Sequence, residues 1–260
     1  MARRTLDNAR VLLTGASSGI GWALAEQLGR CRVRLLLTAR RQARLEQLRR
    51  QLSGQGVEVD CLSGDIAEAS TRGQLLDHVH QRWGGLDILI NNAGRGAIGP
   101  FAQATPQRLR QIMEVNFFAP AELTRQALPL LRQGQRPLVV NIGSVLGHVA
   151  VPGKSEYCAS KFALRGLSDA LRCELKREGI DLLLVNPNTT RSEFFDRLLE
   201  RDADVAVNPL SMSPESVARK ILVAVQRGRA ELQLTLSGKA MIWLDRLCPW
   251  LWRRCLTRWG

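Results

Sequence analysis

The 260-residue chain is 45% hydrophobic and 23% charged, which excludes the composition of a disordered segment and supplies material for one large α/β core or two small ones. A net charge of +13 would suit a polyanion. The arginines, however, are dispersed over polar positions of helical patterns, as on a solvated face, so no nucleic-acid partner is expected.

Six cysteines without a C-x-x-C pair read as reduced thiols. The apolar run at 11–13 is too short for a signal-peptide core, and no run reaches the ~18 residues of a membrane span. The expected location is cytoplasmic, with contact at a membrane periphery left open by the tail described below.

In chain order, short apolar runs at 10–14, 32–38, 57–62, 86–91, 137–142 and 180–185 predict strands. Segments of helical period lie between them at 22–30, 42–52, 74–83, 106–131 and 156–177. A further helix at 215–226 and a last strand at 231–235 follow. Regular β-α alternation with nearly continuous apolar strands predicts a parallel sheet covered by helices on both faces, a doubly wound α/β fold. No linker or repeat divides the chain, so residues 1–235 are expected to form one domain and 236–260 a tail.

The first strand runs into T-G-A-S-S-G-I-G. Glycines at 15, 19 and 21 allow a tight turn and close backbone approach, and a helix start behind them offers free N–H groups to a pyrophosphate. Gly15, Ser17, Ser18, Gly19, Ile20 and Gly21 are therefore candidate dinucleotide contacts. The second strand ends in T-A-R-R, with Ala39 where an acid would accept from a ribose 2′-hydroxyl. Arg40, and less so Arg41, offers donors for a 2′-phosphate instead, which favours NADP over NAD.

Tyr157, the single tyrosine, stands four positions before Lys161 in a helical segment, so the two share a helix face. An ammonium beside a phenol stabilises the phenolate, and the pair is expected to work as an acid/base centre with a lowered tyrosine pKa.

With T-G-A-S-S-G-I-G at 14–21, Asp65 after the third strand, N-N-A-G at 91–94, Asn116, Ser144 and Tyr157 with Lys161, the chain resembles the short-chain dehydrogenase/reductase family over residues 8–235. That resemblance implies a Rossmann-type sheet with strand order 3-2-1-4-5-6-7 and NADP-dependent hydride transfer to or from a carbonyl or alcohol substrate. It also implies a homo-dimer or homo-tetramer. It further implies that Tyr157 exchanges the proton, Lys161 holds the nicotinamide ribose, Ser144 binds the reacting oxygen and Asn116 supports a water relay to Lys161. Asp65 and Ile66 would meet the adenine, while Asn91, Ala93 and Gly94 would line the cofactor floor. Pro187, Asn188, Thr190 and Ser192 would face the nicotinamide. Two other classes stay open: a non-catalytic NADP-binding scaffold or sensor, and a membrane-associated interaction protein.

Asn188 stands where the family usually has glycine, and asparagine is expected to keep the turn because it tolerates positive φ. His78 and His80 point to different helix faces, so no metal is expected, and His148 reads as a loop residue with a possible place in the substrate pocket. Ile98, Phe101, Val145, Leu146, Val149, Phe194, Phe195 and Leu198 suggest an apolar pocket for an uncharged substrate. In the tail, Trp243, Trp250, Trp252 and Trp259 alternate with Arg246, Arg253, Arg254 and Arg258, and Pro249 breaks the segment. Such a pattern fits an interfacial helix at a membrane surface or a cover for the substrate cleft or a subunit contact.

Overall fold

The computed structural model describes residues 3–191, 198 and 211–257. Seven strands form one parallel sheet in the order β3-β2-β1-β4-β5-β6-β7: β1 (Arg10–Thr14), β2 (Arg34–Ala39), β3 (Glu58–Ser63), β4 (Ile88–Asn91), β5 (Leu138–Ile142), β6 (Asp181–Asn186) and β7 (Glu231–Gln233). Each strand sends alternate side chains to opposite faces. Val11, Leu13, Leu35, Leu37 and Val140 enter one core with Leu24, Leu28, Leu48, Val217 and Ile221. Leu12, Leu36, Leu89, Val139 and Leu182 enter the other with Leu75, Val79, Leu123, Leu131 and Leu175. Burial on both faces is why the strands read as unbroken apolar runs rather than as alternating ones.

The helices of the first core are α1 (Gly19–Gly29), α2 (Gln42–Ser53) and α7 (Pro214–Gln226), and those of the second are α3 (Ala69–Trp83), α5 (Ala119–Arg132) and α6 (Ser155–Arg177). Two helices start earlier than the sequence predicts by more than about one residue. α1 begins within the glycine run because the turn there is fixed by close contact rather than by helix propensity. α3 begins at Ala69 because the buried Arg72 guanidinium donates to the Ile66 and Ala67 carbonyls at 2.8 and 2.7 Å, tying down a polar first turn.

The long helix predicted at 106–131 is three pieces: α4 (Pro106–Met113), a π-helical turn (Glu114–Phe118) and α5. Pro120 accounts for the break. It has no N–H for the carbonyl four residues back, that of Asn116, and its ring would collide with that carbonyl in a regular helix. A wider turn, in which the Ala119 N–H reaches the Glu114 carbonyl, relieves both problems and displaces Asn116 from the regular helical position.

Strand order reverses between β1 and β4, so the connections leaving their carboxyl ends diverge and open a crevice there. Beyond β7 the chain forms α8 (Leu236–Leu247) and α9 (Pro249–Leu256), with Pro249 at the first position of the second helix. Ile242 is buried against Val145 and Val149, and Trp252 packs on the same cluster. The tail is therefore seated on the domain, beside the loop that follows β5. No helix among the described residues is long and apolar enough to cross a membrane.

Candidate active site

A cleft of about 1070 Å³ occupies the crevice. Gly15, Ser17, Ser18, Gly19, Ile20, Gly21, Arg40, Asp65, Ile66, Ala93, Gly94, Ser144, Tyr157, Lys161, Pro187, Asn188 and Thr190 all line it, while Ser192, Phe194 and Phe195 lie outside the described residues.

At the glycine-rich end the backbone leaves no room for side chains. A Cβ on Gly21 would overlap the Gly15 carbonyl oxygen and lie 2.5 Å from Asn92 Nδ2, and one on Gly15, where φ is +69°, would lie 2.8 Å from Ala93 Cα. Thr14 Oγ1 accepts from the N–H groups of Asn92 and Ala93 at 3.0 and 3.1 Å, and Asn92 Nδ2 donates to the Thr14 and Gly15 carbonyls at 2.9 and 3.1 Å. The loop is thus sewn to the chain leaving β4, and Ser18 caps α1 without engaging its own side chain. The first-turn N–H groups of α1 face the cleft, and the cradle fits a pyrophosphate.

At the end of β2, Arg41 Nε and Nη2 donate to Ser17 Oγ and the Ser17 carbonyl at 3.1 and 2.9 Å, which lays its guanidinium over the glycine loop. Arg40 is more exposed, 3.8 Å from Asp65 Oδ2, and Arg95 reaches the same oxygen at 3.6 Å. Sequence reasoning put the weight on Arg40; the geometry makes Arg41 at least its equal, and the signal was the same T-A-R-R. Asn92 also lines the cleft and was passed over in favour of its neighbour.

Asn91 is a correction. Its side chain is buried away from the cleft and donates to Thr124 Oγ1 and Asn141 Oδ1 at 3.1 and 2.8 Å, because Asn91 and Asn141 are register partners in β4 and β5. Asn141 in turn donates to Ser168 Oγ at 2.9 Å, so the amide belongs to a polar link inside the core.

At the opposite end, Ser144 follows β5 and Tyr157 and Lys161 lie on consecutive turns of α6. Tyr157 is hydrogen-bonded to Ser144. Lys161 Nζ donates to the Ile142 carbonyl at 2.8 Å and stands 5.7 Å from the centroid of the Tyr157 ring. Asn116, carried on the π turn, does not line the cleft: its Nδ2 donates to the Arg95 carbonyl and to Ser160 Oγ at 2.8 and 2.9 Å, while its Oδ1 accepts from the Arg95 N–H at 2.8 Å. It joins the chain after Gly94 to α6 one residue before Lys161.

The expected lowering of the tyrosine pKa is absent in this arrangement. Burial pushes Tyr157 up to about 12, outweighing the Ser144 hydrogen bond, and burial also pushes Lys161 down to about 8. Tyr157 is half-buried and lines the cleft, and the rise is the direction burial gives a phenol. At neutral pH the site holds a neutral phenol and a charged ammonium, a proton donor beside a fixed cation.

Asn188 is a second correction. The described non-glycine residues at positive φ are Asn8, Arg32 and Arg136, so the turn after Pro187 does not use the left-handed region. Asn188 Oδ1 instead accepts from the Thr189 N–H at 2.9 Å, and Thr190 Oγ1 donates to the Asn188 carbonyl at 3.2 Å. The pair holds the segment as a side-chain turn, which needs no glycine.

His148 is buried with Nε2 within 3.2 Å of Asn186, Glu231 and Gln233, outside the cleft lining. Among the described residues no group of three His, Cys, Asp or Glu side chains could hold a metal ion. Leu146, Val151 and Leu198 line the reacting end, and Met241, Trp252 and Leu256 of α8 and α9 supply a further wall. The tail's inner face was not separable from its outer face by sequence alone.

A family model described as short chain dehydrogenase matches residues 9–203. A relative from Anopheles gambiae, "Dehydrogenase/reductase SDR family protein 7-like", is 32% identical over 259 residues, covering 95% of this chain and 81% of its own length. The structure of a short-chain dehydrogenase/reductase from Burkholderia phymatum in complex with NAD superposes with a TM-score of 0.88 at 23% identity, covering 95% of this chain and 96% of that one. An alcohol dehydrogenase from Thermococcus sibiricus complexed with 5-hydroxy-NADP gives a TM-score of 0.78 at 24% identity, covering 87% and 95%.

Proposed function

Because the chain belongs to the short-chain dehydrogenase family, an oxidoreductase family whose fold binds a nicotinamide cofactor, we propose that it transfers hydride between NADP(H) and a carbonyl or alcohol of a moderately hydrophobic small molecule. The observation that carries this reading is the convergence of Ser144, Tyr157 and Lys161 at one end of a cleft whose other end is the glycine cradle.

The residues have separable duties. Gly15, Ser17, Ser18, Gly19, Ile20 and Gly21 hold the pyrophosphate; Asp65 and Ile66 border the adenine; Ala93, Gly94, Pro187, Asn188 and Thr190 bound the nicotinamide half. Ala39 offers no carboxylate to a ribose 2′-hydroxyl, and Arg40 with Arg41 supplies positive charge for a 2′-phosphate, which selects NADP. The nicotinamide supplies or accepts the hydride.

Tyr157 gives its proton to the carbonyl oxygen, a role that suits a phenol held neutral by burial. Ser144, already bonded to Tyr157, orients that oxygen, and the Lys161 ammonium stabilises the phenolate left behind. Asn116 acts as a positioning residue by fixing Arg95 and α6. Reduction is the favoured direction. In the test, Tyr157→Phe lowers NADPH-dependent turnover of a carbonyl panel by about 1000-fold while cofactor affinity stays within about threefold. Unchanged turnover would reject the mechanism, and the scaffold reading would take its place.

Exposed Phe118 and Phe162 next to the α5–α6 surface suit burial in a homo-dimer or homo-tetramer, and the reduced thiols suit the cytoplasm. A second reading concerns the outer face of α8 and α9, where Leu236, Trp243, Leu247 and Trp250 are exposed among Lys239, Arg246, Arg253 and Arg254. That face suits the periphery of an anionic membrane. Wild type would sediment with phosphatidylglycerol vesicles and Trp243→Ser/Trp250→Ser would not; absence of wild-type binding sinks this second reading alone.

A further inference from the structure

One cation in the cleft has no duty in the proposed chemistry. Lys154 stands half-buried at the N-cap of α6, three residues before Tyr157, and both residues line the cleft. Its main-chain carbonyl is engaged, accepting from the Cys158 N–H at 2.8 Å, but its ammonium has neither hydrogen bond nor ion pair among the described residues.

Among the described residues no acid answers it. The nearest acid in sequence, Glu156, is committed: Arg108 Nε and Nη2 reach its Oε1 at 2.8 and 2.6 Å in a pair with side chains only 3% and 2% exposed. The Cys158 thiol is pushed up by burial and stays neutral at physiological pH. Among the described lining residues the one acid is Asp65, which lies at the adenine end between Arg40 and Arg95. Val151 and Pro152, just before it in the chain, line the cleft as well. Burial correspondingly pushes the Lys154 ammonium below its ordinary range, the direction expected of a charge held out of water without a counter-ion.

A half-buried ammonium in a cleft that also presents apolar side chains, with no acid paired to it among the described residues, has a chemical meaning. A ligand that brings its own anion relieves the desolvation, whereas a neutral ligand that covers the lysine worsens it. The contrast is therefore one of specificity as much as affinity. We propose that Lys154 binds a carboxylate carried by the substrate several bonds from its reacting carbonyl, so that the cleft takes oxo acids with an apolar body. This rests on the oxidoreductase reading for which end of the substrate reacts. It narrows the substrate to an acid, where the sequence suggested an uncharged molecule.

The apolar body of such a substrate would lie along Leu146, Met241, Trp252 and Leu256, with its carbonyl at Tyr157 and Ser144. The test is calorimetric titration of a series of medium-chain methyl ketones, each with and without a terminal carboxylate, into the full chain with and without NADP⁺. Turnover is not involved, so the outcome is independent of whether Tyr157 acts as the proton donor. The expected result is that at least one length binds about tenfold to hundredfold tighter as the carboxylate in wild type. Lys154→Met brings that ratio to about one, and Lys154→Arg preserves most of it. Equal affinities in wild type, a ratio that survives Lys154→Met, or no binding by any member of the series overturns the proposal. Should Lys154→Met fail to fold, Lys154→Gln takes its place and must likewise bring the ratio to about one.

Discussion

The two ends of the cleft are built on opposite plans. At the cofactor end the decisive objects are backbone atoms and missing side chains: the Gly15 carbonyl and the Asn92 amide fill the space a Cβ would need at Gly21. At the substrate end the wall is made of side chains brought from distant parts of the chain, Leu146 after β5, Val151 before α6, and Met241, Trp252 and Leu256 from α8 and α9. A site made of backbone tolerates almost no change and looks alike wherever it occurs. One made of packed side chains can be rebuilt without disturbing the sheet.

The sharpest way to break that contrast is Gly21→Ala. The added methyl collides with the Asn92 amide and, more severely, with the Gly15 carbonyl oxygen, which being main chain cannot swing away, so the cradle has to open. Cofactor affinity is expected to fall by more than about 100-fold, measured by nucleotide fluorescence titration, with a loss of about 2–4 kcal/mol in urea unfolding. Retention of wild-type affinity would mean that the cradle is not where the dinucleotide lies.

Next in size is the selection between the two dinucleotides. Arg40→Ala is expected to raise the NADPH Michaelis constant by about tenfold. Arg41→Ala is expected to do more, because its guanidinium is also bound to Ser17 of the loop and its loss disturbs the cradle as well as the charge. Arg40→Ala should leave NADH use unchanged, whereas Arg41→Ala should weaken it through the loosened cradle, but by less than it weakens NADPH use. If NADH use falls as far as NADPH use, the arginines act structurally and the 2′-phosphate assignment is wrong.

What could be read from the sequence follows the same division. The strands, their parallel order and the tight glycine turn after β1 were legible because glycine spacing and apolar runs report backbone requirements directly. Tyr157 and Lys161 were legible as a pair, but not the balance of forces on them. The spacing shows two groups on one face and cannot show that both are buried enough for desolvation to outweigh their mutual attraction. Asn91 was misassigned because adjacent asparagines in a strand end face opposite ways, and only the register with Asn141 fixes which one faces inward. The break at Asn116 needed Pro120 to be read as a constraint on the residue four places earlier. Lys154 and the inner wall of the tail carried no motif at all.

The reacting end has a pH signature that separates its two titrating groups. Lys161 is depressed from an ordinary 10.5 to about 8, so the unfolded chain binds the extra proton between these values and stability rises with pH from about 8 to 10.5. Tyr157 is raised from 10.0 to about 12, so the folded chain holds the extra proton and stability falls with pH from about 10 to 12. The difference in unfolding free energy between wild type and Lys161→Met should therefore shrink by on the order of 3 kcal/mol from pH 8 to 10.5 if Lys161 carries its charge at a cost. In catalysis the sign is reversed, because the mechanism needs the ammonium: kcat/KM for reduction is expected to decline above about pH 8, and a profile flat to pH 10 would show that the charge on Lys161 is not used.

The smallest effect tests the substrate wall, and it compares the two faces of the tail. Trp252 packs on Val145, Val149 and Ile242 and borders the cleft, whereas Trp243 on the same helix pair is 57% exposed. Trp252→Ala is expected to raise the Michaelis constant for apolar substrates about tenfold, with kcat within about threefold, because it removes binding surface that serves ground and transition states alike. Trp243→Ala should leave both constants unchanged and shift stability by no more than about 0.5 kcal/mol. If the two substitutions behave alike, the tail is not a wall of the cleft, and the substrate must lie nearer to β5 and α6. Should Trp252→Ala lower kcat instead, the indole would be holding the substrate in its reactive pose, and the flexible plan of this end would share some of the exactness of the other.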